Sequence, residues 1–160
     1  MPSLADIWNI PVAYRFEVII GGATDFIECS FSEVSGLNVT IHYEKQTELG
    51  AHDYDILLPK SATYTNLVLK RGLLRQASLT GWFNQTLKFE NLTYKDVVIN
   101  LLGGDSGSSV PLVSWSIKNA YPISMKISPF SSNKSELVIE EIELKYETFT
   151  RQDYGTNLAQ

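Results

Sequence analysis

Two histidines, a single cysteine and a cluster of acids are the residues whose types and spacing could do chemistry in this chain. His52 precedes Asp53 and Asp55, which would offer a metal ion a ligand pair, but the surrounding stretch is polar and reads as a solvated loop. His42 falls on the polar side of an alternating segment. Cys29 stands alone, which excludes an internal disulfide and a multi-cysteine zinc site, and it reads as a small buried hydrophobe. Glu140, Glu141 and Glu143 would be candidates for paired acids; Glu141 and Glu143 lie two apart on one face of a strand and read as a charged surface. Residues 103–109, GGDSGSS, have the composition of a phosphate-binding loop. They lack its Gly-Lys-Ser/Thr ending and the helix that would follow, so they read as a hairpin tip. Lys70-Arg71 is too small a basic patch to hold a duplex and reads as a strand ending at the surface. Neither a G-x-S-x-G elbow nor a Walker loop occurs. The expectation is a protein that is not an enzyme and holds no metal or cofactor.

Composition narrows what remains. At 160 residues the chain fits one domain, large enough to bury a core without metals or disulfides. An apolar share of 44% against 19% charged makes it globular rather than disordered. A net charge of −5 argues against a broad electrostatic footprint on nucleic acid or anionic lipid. No segment is apolar enough to span a bilayer, and the first residues lack the basic start of a classical signal peptide.

The elements that must position any site are strands and one helix. Residues 64–83, YTNLVLKRGLLRQASLTGWF, open as a strand and continue into a helix expected at about residues 73–83, with Leu74, Ala77 and Trp82 turned to the core. Before it, Val12 to Ile20, Phe26 to Val34 and Leu37 to Glu44 read as strands. The last has the cleanest alternation in the chain and is expected to be core on one face and wet on the other. Residues 44–63 read as a long polar loop whose centre, Tyr54 to Leu58, is a short strand before Pro59. After the helix come strands at Lys95 to Leu102, Val110 to Lys118, Ile123 to Ile127 and Leu137 to Thr148, with a bend at Asn119 to Pro122. Residues 1–11 form an N-terminal arm and 150–160 a frayed tail. The class is mainly β: an antiparallel β-barrel or sandwich with one short flanking α-helix and one long loop.

Set in order, several short motifs resemble a family. They are Tyr14-x-Phe16-x-Val18, Phe31-Ser-Glu-Val-Ser-Gly-Leu37, Leu58-Pro59, Asn66-Leu-Val-Leu-Lys-Arg-Gly72, Trp82, Trp115-Ser-Ile-Lys-Asn-Ala-Tyr-Pro122 and the run Glu136 to Glu147. Together they resemble the tail tube proteins of contractile phages, and equally the inner tube proteins of phage-derived contractile injection systems, over about residues 12–149. The resemblance implies an antiparallel β-barrel with a flanking helix. It implies homohexameric rings stacked into a hollow tube inside a contractile sheath. The partners it implies are further copies of the chain, sheath protein, baseplate and tube-terminator proteins, and DNA or effector cargo in the lumen. Assembly would take place in a bacterial or archaeal cytoplasm, and the product would be a virion tail or a released injection particle, with no membrane insertion by this chain alone.

On that reading the 44–63 loop and the arm are expected to join stacked rings, through Ile7, Trp8, Leu49, Tyr54, Ile56, Leu57 and Leu58. Asn38, Thr40, Glu44, Glu141, Glu143 and Glu147 are expected to face an electronegative, hydrated lumen. The alternative is a β-sandwich carbohydrate- or receptor-binding module, using Trp8, Tyr43, Tyr54 or Trp82 as surface aromatics.

Overall fold

Alternation of apolar and polar side chains sets most of the architecture. The computed structural model describes residues 16–21, 27–29, 31–46, 56–73, 77–89, 92–103, 110–133 and 136–154, with backbone alone for 27–29, 77 and 78. Within them lie ten strands and one helix. The strands are β1 (Phe16–Ile20), β2 (Ile27–Cys29), β3 (Glu33–Ser35), β4 (Val39–Gln46), β5 (Ile56–Tyr64) and β6 (Leu67–Gly72). After the helix α1 (Ala77–Leu87) come β7 (Lys95–Gly103), β8 (Val110–Ile127), β9 (Ile139–Lys145) and β10 (Thr148–Asp153). Every pairing is antiparallel.

β8 is the spine. Along one edge it pairs with β7, and along the other with β10 from Val113 to Lys118 and then with β9 from Tyr121 to Ile127. The expected bend at Asn119 to Pro122 is present, but as a kink inside one 18-residue strand rather than a break between two. Asn119 takes φ of 54°, a conformation Asn tolerates better than most residues, and the register with β9 slips between Pro122 and Ser124. Before the kink β8 belongs to the layer β2-β1-β7-β8-β10, and after it to the layer β8-β9-β6-β3. The result is a sandwich hinged on a shared strand, and the barrel is not closed.

The core lies between the layers. Val18 and Ile20 from β1, Val97 and Ile99 from β7, and Ile117 from β8 meet Leu67 and Leu69 from β6 and Ile142 and Leu144 from β9. Burying each such side chain contributes roughly 1.5–3 kcal/mol. α1 caps this core with Leu79 and Trp82, and the Trp82 indole N–H donates to the carbonyl of Thr93 at 2.8 Å. The helix lies later than expected, running past Phe83 to Leu87; Leu74 and the Ala77 side chain lie outside the described residues. Thr80-Gly81 sits inside it. A Cβ at Gly81 would meet nothing within 4 Å. Gly81→Ala is therefore expected to stabilise the subunit by about 0.5–1 kcal/mol in urea unfolding, because an interior helical glycine carries excess backbone entropy. Phe89 ends the helix in a left-handed conformation, φ 53°, and is 91% exposed.

Other boundaries move for identifiable reasons. The expected strand over Phe26 to Val34 is two short strands on different layers, separated at Phe31 and Ser32. The expected frayed tail is paired as far as Asp153, because β10 continues the line of β9 along β8. The largest correction concerns residues 39–46 and 56–64. They pair as a two-stranded hairpin, β4 on β5, in place of a strand followed by a loop with a short strand at its centre. Pro59 does not end β5: Tyr43 pairs with Pro59 and His42 with Ser61, so Lys60 is the extra residue of a bulge at which proline is accommodated.

Candidate functional site

β3 leads into β4 and β5 leads into β6, so residues 33–46 and 56–72 make one long ribbon. Its base, β3 with β6, lies on the core; its outer half leaves the sandwich. The corner is at Gly36 on one strand and Thr65-Asn66 on the other. Gly36 takes φ of 92°, and the Gly36 carbonyl accepts from the Thr65 hydroxyl at 2.7 Å. Tyr64, Tyr146 and Phe149 pack edge to face or tilted beside this corner, with ring centroids 5.5–6.2 Å apart, and burial pushes the Tyr146 phenol above its ordinary pKa.

Beyond the corner the clean alternation of β4 does not produce a buried face. Val39, Ile41 and Tyr43 share one side of the hairpin with Ala62, Pro59 and Leu57, and all are exposed: Ile41 by 64%, Tyr43 by 67%, Leu57 by 56%. The opposite side carries Thr40, His42, Glu44, Ser61 and Thr63, together with Ile56 and exposed Leu58. His42 shares a 2.9 Å hydrogen bond with Thr63, and Glu44 pairs with Lys60 at 3.1 Å. The period-two signal was real, but among the described residues nothing covers the apolar side. Exposed apolar faces commonly mark contact surfaces. A second apolar surface lies in a groove of about 340 Å³ between the end of α1 and β8, lined by Phe83, Leu87, Phe89, Leu92, Tyr121 and Ile123.

The outward face of the layer β3-β6-β9-β8 carries a row of charges in strict register. Glu33 lies opposite Lys70, Lys70 opposite Glu141, and Glu141 opposite Lys126. Lys70 Nζ is 3.0 Å from Glu33 and 4.0 Å from Glu141, and Lys126 Nζ is 3.0 Å from Glu141, which holds the Lys126 ammonium above its ordinary pKa. In the next row Glu143 accepts from the Asn66 amide at 2.7 Å. On the inward face of the same strands, in phase with Leu69 and Ile142, Arg71 and Glu140 are 1% and 3% exposed. Arg71 Nε donates to Glu140 at 2.8 Å, and its guanidinium stands over the Phe31 ring at 5.7 Å. Arg71 therefore does not end a strand at the surface; it is the largest fully buried side chain among the described residues.

The expected site residues are distributed as follows. Ile56, Leu57 and Leu58 lie on the hairpin; Ile7, Trp8, Leu49 and Tyr54 fall outside the described residues, as do His52, Asp53 and Asp55. Thr40 and Glu44 lie on the hairpin and Asn38 at its base, where its carbonyl accepts from Thr65 N–H. Glu141 and Glu143 share the wet face of β9, and Glu147 lies between β9 and β10, accepting from the Asn119 amide at 2.5 Å. Thr40 and Glu44 thus lie on the two-stranded sheet, and Glu141 and Glu143 on the eight-stranded one. Among the described residues no group of three or more His, Cys, Asp or Glu could hold a metal ion, and no helix is long and apolar enough to cross a membrane. The binding-module alternative loses Trp82, which is buried on the core side of α1.

Comparison with known proteins agrees with this geometry. No curated protein matches the chain significantly. Among solved structures, a chain of the six-fold symmetrised anti-feeding prophage baseplate superposes with a TM-score of 0.78 at 25% identity, covering 90% of this chain and 96% of that one. A chain of the sheath-tube complex of the extracellular contractile injection system PVC in its extended state does so at 0.78 and 22%, covering 96% and 99%. A crystal structure of an Hcp protein shares the fold more distantly, at 0.52 and 14%, covering 87% and 99%. The T4-like virus tail tube protein gp19 family matches residues 12–150. With nearly the whole sandwich inside that match, the chain belongs to this family of tail tube proteins and is a structural protein rather than an enzyme.

Proposed function

We propose that this chain is the subunit of the inner tube of a contractile tail or extracellular injection particle. Six copies close into a ring, rings stack into a hollow tube, a sheath surrounds the tube, and DNA or effector protein passes along the lumen. Baseplate and terminator proteins close its two ends. Assembly occurs in the bacterial or archaeal cytoplasm, and the tube leaves as part of a virion tail or a free particle. The observation that carries this reading is the hairpin β4–β5, which stands off the body with an apolar side that no other described residue covers. Membership in the tail tube family and the likeness to chains of baseplate and sheath-tube structures support it.

In this reading the hairpin, with the N-terminal arm, makes the contact between stacked rings. Thr40, Glu44, Glu141 and Glu143 line the lumen, with Asn38 and Glu147 beside them. Lys60, Lys70 and Lys126 stand among these acids, so the wall is one of mixed charge rather than a uniformly negative surface.

Replacing Ile41, Tyr43 and Leu57 together by serine tests the assignment. The unassembled subunit should melt close to the parent, because substitutions at exposed positions usually change stability by only about 0.5 kcal/mol. Tube formation, followed by electron microscopy and sedimentation, should be lost. Tubes of parental length and abundance from this variant would refute the hairpin's role. Native mass spectrometry of parent rings should give six subunits.

A further inference from the structure

We propose that Lys126 of one subunit pairs with Glu33 of the next across joined edges of the layer β3-β6-β9-β8, so that the row of alternating charges runs on from copy to copy and fixes the order and register in which subunits meet. This rests on the tube-subunit reading and adds to it the edges and the charges.

The layer has two edges without a partner among the described residues. One is β3, which pairs only with β6. The other is the end of β8: its pairing with β7 stops at Ala120, and its other side is taken by β9, so Ser124 to Ile127 present a free edge. Open edges seek strands, and closure with a like chain satisfies them. Direction permits it. Four antiparallel strands bring β3 and β8 out pointing opposite ways, so a copy placed head to tail sets its β3 antiparallel to the first copy's β8.

The charges choose among the ways two such edges could join. The row reads Glu33, Lys70, Glu141, Lys126, negative at one edge and positive at the other. Joining β8 to β8 about a two-fold axis would bring Lys126 against its own kind, and joining β3 to β3 would do the same for Glu33. Head-to-tail joining brings opposite charges together and leaves the alternation unbroken. A heterologous contact of this kind propagates into a ring where the rotation closes. Both terminal side chains have capacity left. Lys126 is 65% and Glu33 53% exposed, and each is engaged by a single ion pair within its own chain. Register is specified too: a slip of two residues would set Lys126 against Ser35 or Phe31, and a slip of one would turn it to the other face.

Charge reversal tests this. K126E or E33K alone should raise the concentration needed for ring formation about tenfold or more, since like charges brought together at an interface are strongly disfavoured. The melting temperature of the unassembled subunit should hardly move, because exposed ion pairs contribute little. Within one chain the double variant E33K/K126E places like charges beside both Lys70 and Glu141, so on intrachain grounds it is the worst of the three. Across the joint it restores opposite charges, and rings should return towards the parental concentration. A cysteine pair, Glu33→Cys with Lys126→Cys in a Cys29→Ser background, keeps the question open to measurement if a reversed variant folds poorly. Oxidised with copper-phenanthroline, it should give a covalent ladder up to the full ring, and neither single cysteine should. Rings that form equally well in all three charge variants, or that yield no cross-link, would overturn the proposal and leave the tube reading standing. A parent protein that forms no ring under any condition, with or without a baseplate, would overturn both.

Discussion

Gly36→Ala is expected to destabilise the subunit by about 2–6 kcal/mol. Two separate effects add. The residue sits at φ 92°, where a side chain costs about 1–3 kcal/mol of backbone strain. A Cβ built there would also stand 1.9 Å from the carbonyl oxygen of Asn66 and 2.9 Å from its carbon. Both are backbone atoms of the facing strand, so no rotamer change relieves the clash; the two strands must part, at a further cost of about 1–3 kcal/mol. Parting them disturbs the acceptor of the Thr65 hydroxyl and the corner from which the hairpin departs. Urea unfolding of the unassembled protein measures the first consequence. Assembly should fall further than stability alone requires, because the hairpin's exit angle depends on this corner. An alanine variant within 1 kcal/mol of the parent would mean that the corner is not built as described.

Glu140→Ala is the second large effect, expected at about 3–5 kcal/mol, since it removes the carboxylate that faces a buried guanidinium. Arg71 is 1% exposed, and its Nε donates to Glu140 at 2.8 Å. The diagnostic is the paired replacement Arg71→Met with Glu140→Leu, which removes both charges at similar volume. That variant should recover most of the loss, because a buried ion pair contributes little net stability over a well-packed apolar pair. If it is as unstable as Glu140→Ala, the pair matters for more than mutual neutralisation.

Parity separates what could be read in the sequence from what could not. Wherever an alternating segment lies on the core, its faces follow from the sequence. Ile142 and Leu144 are inward and Glu141 and Glu143 outward, as the alternation of the last long strand required. Arg71 and Glu140 carried the same signal, since each is two residues from an apolar core position. It was outweighed by the usual rule that charges stay wet, which fails when two opposite charges are buried together. The hairpin shows the other limit. Alternation reports that a face must be covered and says nothing about what covers it. The cross-strand charge row was not legible at all: Glu33, Lys70, Lys126 and Glu141 are scattered over 109 positions of chain (141 − 33 + 1), and only strand order and register align them. The end of α1 was missed because the expected helix stopped at the apolar pair Trp82-Phe83, whereas the observed one runs on through polar residues to Leu87.

The spine strand also sets a timetable for synthesis. Val18 pairs with Ile99, and Leu67 with Leu144, so the strands made first find their partners in the chain made last. At about 5–20 residues per second, the 77 positions between Leu67 and Leu144 take the ribosome roughly 4–15 s. Through that interval β6 has emerged with no β9 to receive it, and the ribbon β3–β4 with β5–β6 can form by itself with apolar residues open on both halves. Neighbouring nascent chains on one message present the same ribbon at the same time. The exposed apolar side of the hairpin is, for those seconds, an aggregation hazard.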